Sequence, residues 1–123
     1  MKVGELKPKV NVDLTFKVLQ KGEERLTRNG NRVAEALVGD ETGVVIMTLW
    51  EDDIDKIEEG KTYDLKNGYI TLFKGSMRLT IGRSGSIEES EMEIGEIDRD
   101  NNVSEKKFPD MRRYQRKSYR VKY

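Results

Sequence analysis

From residue 10 to residue 20 the chain alternates, with Val12, Leu14, Phe16 and Val18 on one side and mostly polar residues on the other. A two-residue period predicts a half-buried first strand. "KGEERLTRNGN" follows as a polar connector in which Asn29-Gly30 suits a turn. "RVAEALVG" and "VVIMTLW" predict two more strands, and Gly39-Asp40-Glu41-Thr42-Gly43 between them has the chemistry of a tight hairpin. "EDDIDKIEEG" breaks the alternation. Asp52 or Asp53 suits a helix cap, Ile54 and Ile57 share a face, and Gly60 ends the run. One or two helical turns plugging a barrel end are expected there. "TYDLKNGYITLF" and "MRLTIG" return to strand around a Lys74-Gly75-Ser76 turn.

The order β-β-β-α-β-β, rich in glycine turns, predicts an all-β chain built as a five-stranded OB-fold barrel, with a short helix between the third and fourth strands. Residues 1–87 form this domain. Beyond Ile87 the apolar pattern thins. Residues 88–105 are expected to supply at most one edge strand, through Met92, Ile94 and Ile97, and then a linker; Asn101-Asn102 and the tail at 106–123 are expected to be disordered.

Hydrophobic residues make up 35% of the chain and charged residues 37%, so only a small core can be filled. Cysteine and histidine are absent from the sequence. Disulfides, Cys/His zinc sites, histidine triads and cysteine nucleophiles are thereby excluded. "MKVGELKPKV" lacks the apolar run of a signal peptide, and no stretch approaches membrane length. A cytoplasmic chain without membrane contact, metal or cofactor is expected. The net charge of zero is unevenly spread. Residues 1–87 hold 14 basic and 14 acidic groups; residues 88–105 hold one basic and eight acidic, for −7; residues 106–123 hold eight basic and one acidic, for +7.

The candidate site follows from strand parity. In "VVIMTLW", Val45, Met47 and Leu49 form an apolar face, while Val44, Ile46, Thr48 and Trp50 form the other. Trp50 either covers the barrel end or faces a ligand. Tyr69, Thr71 and Phe73 share one face of the fourth strand, and Ile70 and Leu72 share the other. Two rings and a threonine make a poor core face beside Ile and Leu. They suit either a cross-strand pair that stabilises the sheet or a stacking platform for bases. Lys74 and Arg78 are placed to meet phosphates, with Arg28 and Arg32 rimming the first connector. The three rings are expected to converge near the helix end of the face formed by the second and third strands, and Ile46, Thr48 and Thr71 are counted with them as nucleic-acid-binding residues.

"VGELKP", "VGDETGVVIMTLW", "IEEGKTYDLKNGYITLFKG" and "GRSG" resemble the archaeal single-stranded DNA-binding proteins that have one replication-protein-A-like OB fold. The chain is also similar to the human single-stranded DNA-binding subunits of the SOSS type. The resemblance covers residue 3 to about 87, essentially the barrel. It implies that Trp50, Tyr69 and Phe73 occupy base-stacking positions. Tyr69 stands where some members have tryptophan, and Thr80 where others have another aromatic, which implies fewer stacked bases. Crenarchaeal members end in a Gly/Arg-rich and then acidic segment, whereas here acidic precedes basic.

The expectation is a sequence-tolerant binder of single-stranded DNA, monomeric alone, that protects strands in replication, recombination or repair and has no catalytic residue. Replication or repair proteins are candidate partners of the tail, which also suits nucleic acid or the acidic stretch. Three rivals remain open. Asp40, Glu41, Asp52, Asp53 and Asp55 offer oxygen ligands for a metal-dependent nuclease, although the hairpin turn and helix start account for them. The same face suits a protein partner in a replication-protein-A-like complex. Single-stranded RNA is the third, since stacking does not distinguish the sugars.

Overall fold

The computed structural model describes residues 2–105. Five strands make the barrel: β1 (Asn11–Lys21), β3 (Arg32–Asp40), β4 (Gly43–Trp50), β5 (Thr62–Phe73) and β6 (Ser76–Thr80). Their order is β1-β3-β4-β6-β5, and β5 pairs back with β1 to close the ring. All these pairings are antiparallel except that of β4 with β6. Two short strands extend the ring: β2 (Arg25–Leu26) on β3 and β7 (Ser86–Glu89) on β5. The fold is the expected OB barrel, and closure leaves its strands without a long free edge.

The alternation dictates the core. Val12, Leu14, Phe16 and Val18 point inward from β1, and Val45, Met47 and Leu49 from β4, where they meet Ile70, Met77 and Leu79. Helix α1 (Asp53–Lys56) is a single turn that seats Ile54 and Ile57 in the core. Asp52 stands at its N-cap position, but the side chain makes no capping bond. The C-terminal end is held instead by Lys21 on β1, whose Nζ donates to the carbonyls of Ile54 at 2.6 Å and Ile57 at 2.8 Å. A cation on those orphan carbonyls is favoured by the helix dipole.

The segment beyond the barrel departs from expectation in two ways. Its edge strand is β7, which uses Ile87; Met92, Ile94 and Ile97 lie outside any strand, and Met92 is 60% exposed. Nor are Asn101-Asn102 disordered. Asn101 accepts a bond from the Val44 amide at 2.9 Å and donates through Nδ2 to the Thr42 carbonyl at 2.8 Å. Val103 is buried, and the hydroxyl of Ser104 accepts from the Ile46 amide at 2.8 Å and donates to the Met77 carbonyl at 2.5 Å. Parallel β4 and β6 pair only at Ile46–Arg78 and Met47–Leu79. Ser104 thus bridges the two strands where the barrel seam needs partners for its backbone groups. A polar sequence conceals this docking, because two short polar side chains, one backbone carbonyl and one valine carry it. The basic tail at 106–123, expected to be disordered, lies outside the described residues.

Candidate nucleic-acid interface

A bulge decides which way the rings point. In the first half of β5, Tyr63 and Leu65 face the core. Pairing with β1 then shifts between Leu14–Leu65 and Val12–Gly68, so β5 carries one extra residue. Asn67 absorbs it with a φ of 54°, and its amide donates to Oδ1 of Asp13 at 2.8 Å. Asparagine tolerates this left-handed conformation better than most residues. After the bulge the parity is reversed: Gly68 and Ile70 turn inward, and Tyr69, Thr71 and Phe73 turn outward. Without it Tyr69 would share the inward face of Tyr63 and Leu65.

The outward face is continuous across four strands. Leu37, Ile46, Arg78 and Thr71 lie in one cross-strand row. One step toward α1, Glu35 pairs with Thr48 and Thr80 with Tyr69; a further step pairs Val33 with Trp50. In the opposite direction Phe73 pairs with Ser76. Trp50 and Phe73 are the open rings, 43% and 56% exposed, while Tyr69 is half-buried. The expected convergence at the helix end does not occur. Tyr69 lies toward that end with Trp50, but β5 runs antiparallel to β6 and carries Phe73 away from it. At ~3.3 Å per residue, Trp50 and Phe73 are about 20 Å apart along the strands. The rings mark out a track.

The β5–β6 turn fixes the Phe73 end. Lys74 and Gly75 have φ of 52° and 83°, the pattern of a two-residue hairpin turn with both central residues left-handed. Lys74 Nζ lies 5.5 Å from the Phe73 ring centroid, and the Arg78 guanidinium lies 5.4 Å from it. A cation over a ring face is attracted by the ring quadrupole.

The basic groups differ in availability. Arg78 reaches over β4 and ion-pairs with Glu35, which Arg25 also approaches at 3.9 Å. Arg32 is held by Glu24 at 2.7 Å and Asp55 at 3.5 Å. Its hydrogen bond to Glu24 raises the Arg32 pKa and lowers that of Glu24. Both arginines therefore already have carboxylate partners. Arg28, Lys74 and Arg83 have none within salt-bridge distance among the described residues. Arg83 follows Gly82, whose position lies against Tyr69.

Glu35 is the residue that sequence reasoning missed, since nothing in "RVAEALVG" signals a partner 43 residues later. It sets a carboxylate in the middle of the face. Glu35→Gln is expected to tighten oligo-dT binding about two- to fivefold, the scale of one partly exposed ion pair. It should also steepen the salt dependence by about 0.7 for one added phosphate contact. Fluorescence anisotropy of labelled oligo-dT at several salt concentrations reads both effects, and weaker binding would show that Glu35 orients Arg78 instead.

Asp40 and Glu41, considered above as metal ligands, belong to the β3–β4 turn. Asp40 is buried and accepts bonds from the Val3 amide at 2.9 Å and from the Thr42 amide and hydroxyl at 2.8 and 2.6 Å. Asp53 pairs with Lys56 and Asp55 with Arg32. The Asp40 carboxylate is used in holding the fold, while Asp53 and Asp55 are taken up in surface ion pairs.

Residues 6–89 match the family described as single-stranded DNA binding protein Ssb-like, OB fold. The single-stranded DNA binding protein Ssb of Saccharolobus solfataricus is 43% identical over 93 residues, which cover 72% of this chain. The chain spans 63% of that relative's length. The solution structure of a hypothetical protein from Arabidopsis thaliana superposes with a TM-score of 0.77 at 33% identity, covering 89% of this chain and 86% of the other. The replication factor A related protein of Methanobacterium thermoautotrophicum has the same fold, with a TM-score of 0.61 at 20% identity and coverage of 74% and 90%.

Proposed function

The chain belongs to the Ssb-like OB-fold family of single-stranded DNA binding proteins, and from that premise we propose that it binds single-stranded DNA by stacking bases along the Trp50–Tyr69–Phe73 track. The observation that carries this reading is the outward turn of two open rings on a barrel whose other large side chains are mostly buried. Every base presents a π-face, so the track is tolerant of sequence. Lys74, Arg28 and Arg83 meet phosphates directly, and Arg78 does so by leaving Glu35. Ile46, Thr48 and Thr71 form the floor between the rings, and Arg32 stiffens the rim through its two carboxylates.

Stacking is worth roughly 1–3 kcal/mol per base, so three rings supply about 3–9 kcal/mol before ordering costs. A micromolar complex needs about 8 kcal/mol, which a few phosphate contacts complete. The role that follows is protection of exposed strands during replication, recombination or repair, by binding alone. Anisotropy titrations of labelled oligo-dT, oligo-U and duplex DNA test it. Tight oligo-dT binding with weak duplex binding is expected. Tighter oligo-U binding would reassign the face to RNA, and no binding would leave it to a protein partner.

A further inference from the structure

Arg78 is the least exposed cation of the track, with 16% of its side chain open, and three neighbours fix it. Its guanidinium lies 5.4 Å from the Phe73 ring centroid, Nη1 pairs with Glu35, and Nε donates to Ser76 Oγ at 3.3 Å. Ser76 shares the outward face of β6 with Arg78, yet it is buried. The segment beyond the barrel meets it there, because Ser76 Oγ donates to the carbonyl of Ser104. A hydroxyl has one proton and two lone pairs. With the proton spent on that carbonyl, the oxygen is left to accept from Arg78 Nε. The Ser104 carbonyl thus sets the direction of the bond that holds the arginine.

That carbonyl is itself held in place. Asn102 accepts the Ser104 amide on Oδ1 and the Glu105 amide on its carbonyl, both at 3.0 Å, closing a 3-10 turn over Val103–Glu105. Val103 is 1% exposed and anchors the turn in the core. The Ser104 hydroxyl bonds the Ile46 amide and the Met77 carbonyl. Ile46 is the cross-strand partner of Arg78, and Met77 precedes it. One turn therefore holds the arginine by its backbone neighbours and, through Ser76, by its side chain.

We propose that residues 101–105, which lie beyond the family match at 6–89, are a working part of the nucleic-acid interface. Through Ser76 they keep Arg78 Nε fixed over Phe73 while its Nη groups turn from Glu35 to a phosphate. This inference rests on the single-stranded DNA reading of the barrel face. Ser76 and Ser104 are positioning residues and act through the arginine. A guanidinium pinned at Nε loses less freedom when a phosphate replaces the carboxylate, which favours binding. It also keeps the charge beside the base stacked on Phe73.

The test is a double-mutant cycle on the full chain, read by oligo-dT anisotropy across salt concentrations. Ser76→Ala is expected to weaken binding about two- to tenfold, the scale of one side chain left to be ordered on binding. It should also move the salt slope toward that of Arg78→Gln, which lacks one phosphate contact worth about 0.7. Added to Arg78→Gln, Ser76→Ala should change nothing further. Equal weakening in both backgrounds overturns the proposal, because the serine then serves the barrel rather than the arginine. Val103→Ala loosens the turn with Ser76 intact, and should reproduce the loss only where Arg78 is present. The Arg78 Nε–H resonance, read by NMR without DNA, should be protected from solvent exchange in the unmodified chain and lose that protection in both variants. Protection kept in both overturns the proposal while sparing the barrel reading. Failure of the unmodified chain to bind oligo-dT, with the resonance protected, overturns the DNA reading and the proposal with it.

Discussion

Replacing Trp50 and Phe73 together with alanine is expected to weaken oligo-dT binding by roughly thirtyfold to twenty-five-thousandfold, because each ring contributes about 1–3 kcal/mol of stacking. Stability should hardly move. Both rings point out of the barrel, and neither belongs to the core built on Phe16, Met47, Leu49 and Ile70. What folding loses is the interaction of Phe73 with Lys74 and Arg78, about 0.5–1 kcal/mol at an exposed site. Anisotropy with labelled oligo-dT measures the first effect and urea denaturation the second. If affinity survives the double substitution, the stacking account is wrong.

Asp40→Ala is expected to show the reverse pattern, with a stability loss of about 2–4 kcal/mol and little direct effect on the DNA face. The carboxylate satisfies the Val3 and Thr42 amides and the Thr42 hydroxyl, and Val3 and Leu6 pack into the core beside it. Leaving a buried donor unpaired costs about 1–3 kcal/mol. For a domain of this size that is a fall in Tm of roughly 10–20 °C. Asp40→Asn keeps one acceptor for Thr42 but turns an amide toward the Val3 N–H, so an intermediate loss is expected. A thermal melt of the three proteins checks the order. A stable Asp40→Ala protein would reopen the carboxylate for another role.

Much of the barrel is legible in the sequence because period-two burial is written residue by residue. Val12-Leu14-Phe16-Val18 and Val45-Met47-Leu49 show their inward faces directly. The outward turn of Tyr69 and Phe73 is legible for the same reason, through the contrast with Ile70. Its cause is less visible, since it depends on one asparagine taking a positive φ in the middle of a strand. Arg78 reads as a free cation until the barrel closes and brings Glu35 across β4. Strand parity sorts faces but not ends, so it does not reveal that the pairing registers string the rings along the face. The docking of residues 101–105 is hidden most deeply: an acidic, asparagine-rich stretch reads as linker, yet the Ser104 hydroxyl bridges β4 and β6 and the Asn101 side chain ties down the β3–β4 turn.

The most direct measurement uses Trp50, the one tryptophan in the chain. Its emission is followed while oligo-dT is added at two salt concentrations. Saturable quenching, with the midpoint moving to higher oligo-dT as salt rises, is the predicted result and sets the indole against bases. Binding seen by anisotropy with no change in Trp50 emission would contradict the account, because the DNA would then be held away from the track.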